Sequence, residues 1–126
     1  MAKILLIDDD PQILDLLQDV LTEDGHECCC AANGAIGFKA LEESPFDLVV
    51  TDLIMPVAEG LETIMKIRSY GNRVPILAIS GGIPWMPTDF LPMAQRLGAD
   101  RTLAKPLEIQ KFKQLVRELL GGQSGA

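Results

Sequence analysis

Ile4-Leu5-Leu6-Ile7 is an unbroken apolar run that stops at three consecutive aspartates. A run this short, apolar at every position, predicts a strand covered on both faces, as in a parallel sheet. The period then changes. Ile13, Leu14, Leu17, Val20 and Leu21 recur at three- and four-residue steps, which predicts a helix. Asp10-Pro11 supplies its N-cap and first helical position, and Gly25 its stop. Residues 27–31 form a second short apolar run. Asn33-Gly34 opens a helix carrying Ile36, Ala40 and Leu41 that stops before Pro45.

The same alternation continues to the end. Asp47-Leu48-Val49-Val50-Thr51 predicts a third strand running into Asp52, and a loop with Pro56 and Gly60 leads to a helix with Leu61, Ile64, Met65 and Arg68. Gly71-Asn72 terminates that helix, and Pro75-Ile76-Leu77-Ala78-Ile79 predicts a fourth strand ending at Ser80. Residues 81–87, with Gly81, Gly82, Pro84 and Pro87, predict a loop; Thr88 or Asp89 then caps a helix ending near Gly98. Residues 101–104 predict a fifth strand before Lys105-Pro106, and a last helix carries Ile109, Phe112, Leu115, Val116 and Leu119 up to Gly121-Gly122. Five β-α units predict an open, doubly wound parallel sheet of five strands, an α/β fold. Right-handed crossovers bring the carboxyl ends of all strands to one edge, where ligands bind in such sheets.

Composition narrows the function classes. The 126 residues suit one domain, here 1–120, with 121–126 as a flexible tail and no output domain in this chain. Eighteen acidic against eleven basic residues give −7 at pH 7, which disfavours nucleic acid or an anionic membrane as a partner. No apolar run can span a bilayer, and the N-terminus lacks a secretory pattern, so the expected location is cytoplasmic. Cys28, Cys29 and Cys30 are adjacent, unlike spaced zinc ligands or a disulfide framework, and suit a small apolar strand. Oxygen atoms remain as the plausible metal ligands.

Strand one delivers Asp8, Asp9 and Asp10 to the common edge, strand three Asp52, strand four Ser80 and strand five Lys105. Asp10 is absorbed by its capping role. Carboxylates brought this close repel by roughly 4 kcal/mol per pair at 4 Å and an effective dielectric near 20. A small hard cation such as Mg²⁺ (or Mn²⁺) relieves that repulsion and is often completed by a phosphate oxygen. Asp8, Asp9 and Asp52 against Lys105 and a divalent ion sum to zero formal charge. A carboxylate in that setting can act as a nucleophile toward phosphorus. A metal-dependent phosphotransferase or phosphatase acting on small molecules would share this chemistry, although no segment resembles a lid or a substrate pocket.

Residues 4–11, Asp47 through Pro56, Ser80-Gly81 and Lys105-Pro106 together resemble the receiver domain of two-component response regulators, over about residues 3–120. The resemblance implies a flavodoxin-like (βα)5 fold and phosphorylation of Asp52 by a sensor histidine kinase or histidine phosphotransfer protein. It implies metal at Asp8, Asp9, Asp52 and the Ile54 carbonyl, with Ser80 and Lys105 contacting the phosphoryl group and a cis peptide before Pro106. A signalling switch rather than an enzyme, with a downstream protein target, is the implied role. The chain could also be one receiver from a larger regulator or hybrid kinase.

Thr102 occupies the position where the family carries a switch aromatic, and the Ser80-to-Lys105 segment is long, with Pro84, Pro87 and Pro92. Ile83, Trp85, Met86, Phe90, Leu91 and Met93 make that segment apolar, which suits either packing on the sheet or an output surface. The resemblance implies that the positions two beyond Asp52 and two beyond Ser80 influence phosphoryl lifetime. These are Ile54 and Gly82, neither with a side chain able to position an attacking water, so a long-lived phosphoryl group is expected. Ile54→Asn should shorten that lifetime, measured as loss of label after donor removal; an unchanged or longer lifetime contradicts it.

Overall fold

The computed structural model describes residues 2–53, 57–80 and 90–125. Its elements alternate as the periodicities predict: β1 (Lys3–Ile7), α1 (Pro11–Glu23), β2 (Glu27–Ala31), α2 (Gly34–Glu43), β3 (Leu48–Asp52), α3 (Val57–Ser69), β4 (Ile76–Ser80), α4 (Phe90–Leu97), β5 (Arg101–Ala104) and α5 (Ile109–Gly125). Every neighbouring pair of strands is parallel, in the order β2-β1-β3-β4-β5. The chain steps outward from β1 to β2 and returns to β3 on the other side. The carboxyl ends of β1 and β3 therefore flank the crevice where this kind of sheet binds ligands.

Strand side chains alternate between two cores, as a two-residue period requires. Ile4, Leu6, Val50, Leu77 and Leu103 pack with Leu17 and Leu21 of α1 and Phe112 and Val116 of α5. Leu5, Ile7, Val49, Ile76 and Ala78 pack with Phe38 of α2, Ile64 and Ile67 of α3 and Ala94 of α4. Both faces of the sheet are covered, so its strands read as continuous apolar runs. Cys28 and Cys29 follow the same alternation on edge strand β2, one toward each core. Burial pushes the Cys28 thiol up to about 11, which keeps it protonated and unreactive at neutral pH. Exposed Cys30 donates from Sγ to Gln18 Oε1 at 3.5 Å.

Several local expectations are corrected. Ile36 is 51% exposed, and α2 instead buries Gly34, Gly37 and Phe38. Helix α2 lies so close to β1 that a Cβ at Gly37 would stand 2.5 Å from Ile7 Cδ1, so its inward face is marked by glycine. Met65 is likewise exposed, because α3 turns Thr63, Ile64 and Ile67 inward. Strand β3 runs one residue later than expected, so Asp52 is its last residue, while β4 starts at Ile76 and ends at Ser80 as expected. Gly60 lies inside α3, which begins at Val57, not in a loop before it. Helix α5 continues past Gly121-Gly122 to Gly125. Neither of those glycines is among the described residues with positive φ, so neither makes a left-handed stop. The apolar residues 83–87 lie outside the described residues. Among the described residues no helix is long and apolar enough to cross a membrane.

The edge of the sheet opposite the aspartates is tied by one side chain. Arg68, near the end of α3, donates from Nε and Nη2 to the Gly98 carbonyl at 3.0 and 2.8 Å. Its Nη1 donates to the carbonyls of Asn72 and Val74 at 2.9 and 2.7 Å, and Nη2 also pairs with Asp100 Oδ2 at 2.9 Å. The same Asp100 oxygen accepts from Ile76 N at 2.8 Å, joining α3, β4, the end of α4 and the start of β5. Gly98 has φ +127°, and a Cβ there would stand 2.6 Å from Arg68 Cγ. Gly98→Ala should therefore destabilise the fold by roughly 1–3 kcal/mol. The urea midpoint should fall with little change in slope; an unchanged midpoint contradicts this account.

Candidate functional site

Three strand ends and the turn after β5 assemble the site. The Asp8 amide continues the β1–β2 ladder by donating to the Ala31 carbonyl at 3.1 Å, which carries Asp8 one residue past β1. Asp8 Oδ1 then accepts from Asp10 N at 2.9 Å, and Asp10 Oδ1 caps α1 by accepting from Gln12 N at 2.9 Å. That turn leaves Asp9 exposed while Asp8 is only 4% exposed. Asp52 ends β3 opposite Ile79 of β4 and is 5% exposed. Ser80, 4% exposed, ends β4 opposite Ala104, and its carbonyl accepts from Lys105 N at 2.9 Å. The Lys105-Pro106 peptide is cis.

The predicted residues converge. Lys105 Nζ donates to Asp52 Oδ2 at 3.2 Å, with the carboxylate almost fully buried and the lysine side chain about three-quarters so. One carboxylate oxygen from each of Asp8, Asp9 and Asp52 lies within 4.8 Å of the others. Burial pushes the Asp8 carboxyl up to about 6; the Asp10 amide holds it down, Asp52 raises it further, and Lys105 opposes that rise. A cluster of hard oxygen donors with one partly protonated member fits a divalent ion such as Mg²⁺, which takes carboxylate oxygens together with waters. Ile54, whose carbonyl completes the expected set, lies outside the described residues.

The structure also brings in two residues that sequence reasoning passed over. Thr51, fully buried, donates from Oγ1 to the Asp52 carbonyl at 3.3 Å. Gly60 of α3 packs against that same carbonyl and the Leu53 backbone. The available signal was the spacing Gly60, Thr63, Ile64, Ile67, which continues one helical face back through the glycine.

Comparison with known proteins identifies the family and the fold. The family description "response regulator receiver domain" fits residues 4–117. A probable transcriptional regulatory protein of Picosynechococcus is 33% identical over 97% of this chain and 50% of its own length. A CpxR homolog of Haemophilus influenzae is 32% identical over 95% of this chain and 51% of its own. The chain thus spans about half the length of these curated relatives. Among solved structures, a response regulator TrrA of Thermotoga maritima in complex with Mg²⁺-BeF is 30% identical, with TM-score 0.81 over 95% of this chain and all of that one. A CheY-like receiver domain protein of Methanospirillum hungatei is 26% identical, with TM-score 0.87 over 99% and 98% of the two chains.

The raised Asp8 pKa has a measurable sign. A carboxyl that holds its proton more tightly folded than unfolded stabilises the fold fully below its unfolded value of 3.8. That contribution is lost as pH rises to about 6. With a chelator present, stability from this group should therefore fall across that window, while Mg²⁺ binding below pH 6 should release a proton. Thermal unfolding and calorimetry in buffers of different ionisation heat measure both; rising stability traceable to Asp8 across the window contradicts the assignment.

Proposed function

Since the chain belongs to the response regulator receiver domain family, we propose that Asp52 is the phosphoacceptor of a switch in a two-component phosphorelay. The observation that carries this reading is the Lys105–Asp52 pair at 3.2 Å inside the cluster of three carboxylates. It supports the reading because a carboxylate oxygen, an ammonium and further carboxylate oxygens share one crevice, the groups that phosphoryl acceptance needs.

An Asp52 carboxylate oxygen attacks the phosphorus of a phosphohistidine on the partner. The new O–P bond forms as the P–N bond breaks, and the imidazole keeps the electron pair and takes up a proton. Negative charge spreads over the three phosphoryl oxygens during transfer, so positioned positive charge and donors do most of the catalytic work. Lys105 meets one of those oxygens, exchanging part of its contact with Asp52 for it, and the Ser80 hydroxyl donates to another. Asp8, Asp9, Asp52 and the Ile54 carbonyl would hold Mg²⁺ (or Mn²⁺), which would supply charge neutralisation for the incoming group. The chain assists its own phosphorylation and dephosphorylation without turning over a separate substrate.

The partners in this reading are a cytoplasmic sensor histidine kinase or histidine phosphotransfer protein and a downstream protein target. The curated relatives, roughly twice as long, favour a related reading in which such a receiver works as part of a larger regulator.

Asp52→Asn should abolish base-labile labelling by a small acyl phosphate with Mg²⁺. It should also raise the metal-free stability at neutral pH by on the order of 1 kcal/mol, read as a higher melting temperature, because one of three mutually repelling charges is gone. Asp9→Ala should weaken Mg²⁺ binding and labelling together. Undiminished labelling of Asp52→Asn, mapped by mass spectrometry, would overturn the assignment.

A further inference from the structure

Glycine costs a helix interior about 1 kcal/mol relative to alanine, so a buried glycine within a helix calls for a packing reason. Gly60 is such a residue: it is the fourth residue of α3 and is buried. A Cβ there would stand 2.6 Å from Leu53 Cα, 2.7 Å from the Asp52 carbonyl oxygen and 3.1 Å from the Leu53 carbonyl carbon, where ordinary contacts are 3.4–4 Å. All three neighbours are backbone, so no side-chain rotation makes room. Gly37 provides the contrast, because its nearest neighbours at 2.5 and 2.9 Å are Cδ1 and Cγ1 of Ile7, the far part of a flexible side chain.

We propose that Gly60 is a positioning residue for phosphoryl acceptance: its missing side chain lets α3 rest directly on the Asp52–Leu53 peptide and so aims the Asp52 carboxylate. This rests on Asp52 being the phosphoacceptor. The peptide is held from three directions. Leu53 N donates to the Ile79 carbonyl at 2.9 Å, Thr51 Oγ1 donates to the Asp52 carbonyl at 3.3 Å, and the α3 backbone at Gly60 closes the remaining side. The Asp52 Cα–Cβ bond direction follows from that backbone, and with it the 3.2 Å contact to Lys105 and the spacing to Asp8 and Asp9. A methyl group at position 60 must push back either α3 or the peptide that carries the nucleophile. Misplacing a reacting group by about 1 Å can cost roughly a hundredfold in rate.

The test compares the parent, Gly60→Ala and Gly37→Ala, each well below its melting temperature so that all are folded. The readouts are the rate of Asp52 labelling by acetyl phosphate at saturating Mg²⁺, the Mg²⁺ concentration for half-maximal rate, and the melting temperature. Gly60→Ala should label about ten- to a hundredfold more slowly and need more Mg²⁺. Gly37→Ala should lose melting temperature yet label within about twofold of the parent. If Gly60→Ala loses only melting temperature and labels like the parent, the glycine is merely structural and the proposal falls. A parent that is not labelled on Asp52 defeats the phosphoacceptor reading itself, a distinct result. Should Gly60→Ala fail to fold, nuclear magnetic resonance of the parent decides. Mg²⁺ should shift the Asp52 carbonyl and Gly60 amide signals with one midpoint while Gly37 stays in place; a silent Gly60 overturns the proposal.

Discussion

Buried carboxylates repel, and the carboxyl edge of this sheet holds Asp8 and Asp52 almost out of solvent, with exposed Asp9 beside them. Among the described residues, the ammonium of Lys105 faces the group at 3.2 Å from Asp52. One positive charge does not balance three negative ones, so the site favours whatever brings more positive charge or removes a negative one. Proton uptake by Asp8 and binding of a divalent cation both answer that imbalance. The backbone thus maintains an electrostatic tension at this edge.

Maintaining it requires stiffness elsewhere. Strands β1, β3 and β4 are buried on both faces between two apolar cores, leaving the backbone beneath Asp8, Asp52 and Ser80 little room to relax. The opposite edge is bound by Arg68, whose guanidinium reaches the Asn72, Val74 and Gly98 carbonyls and the Asp100 carboxylate. This divides the molecule into a tied base and a charged rim. Helix α4 spans the two, since Gly98 at its end belongs to the Arg68 knot.

Much of this was legible along the chain. Apolar runs of strand length, each ending in a chemically distinctive residue, identified Asp8, Asp9, Asp52, Ser80 and Lys105 because parallel crossovers send every strand's carboxyl end to one edge. What escaped was backbone proximity. Ile36 looks like a core residue and Gly37 like filler, yet α2 approaches β1 through the glycine. Gly60 resembles a helix breaker by composition and is instead where α3 touches the backbone of Asp52 and Leu53.

By itself, the sequence determined the alternation of elements, the parallel sheet and the residue types delivered to its carboxyl edge. These follow from local periodicity and from the handedness of β-α connections. Only the tertiary structure decided which helix face turns inward, that Asp52 is the last residue of its strand, and how close Lys105 comes to Asp52. It also decided that burial lifts Asp8 toward neutrality while its neighbour Asp9 stays in water. Those outcomes depend on distances between segments remote in sequence, and repulsion and desolvation act through distance.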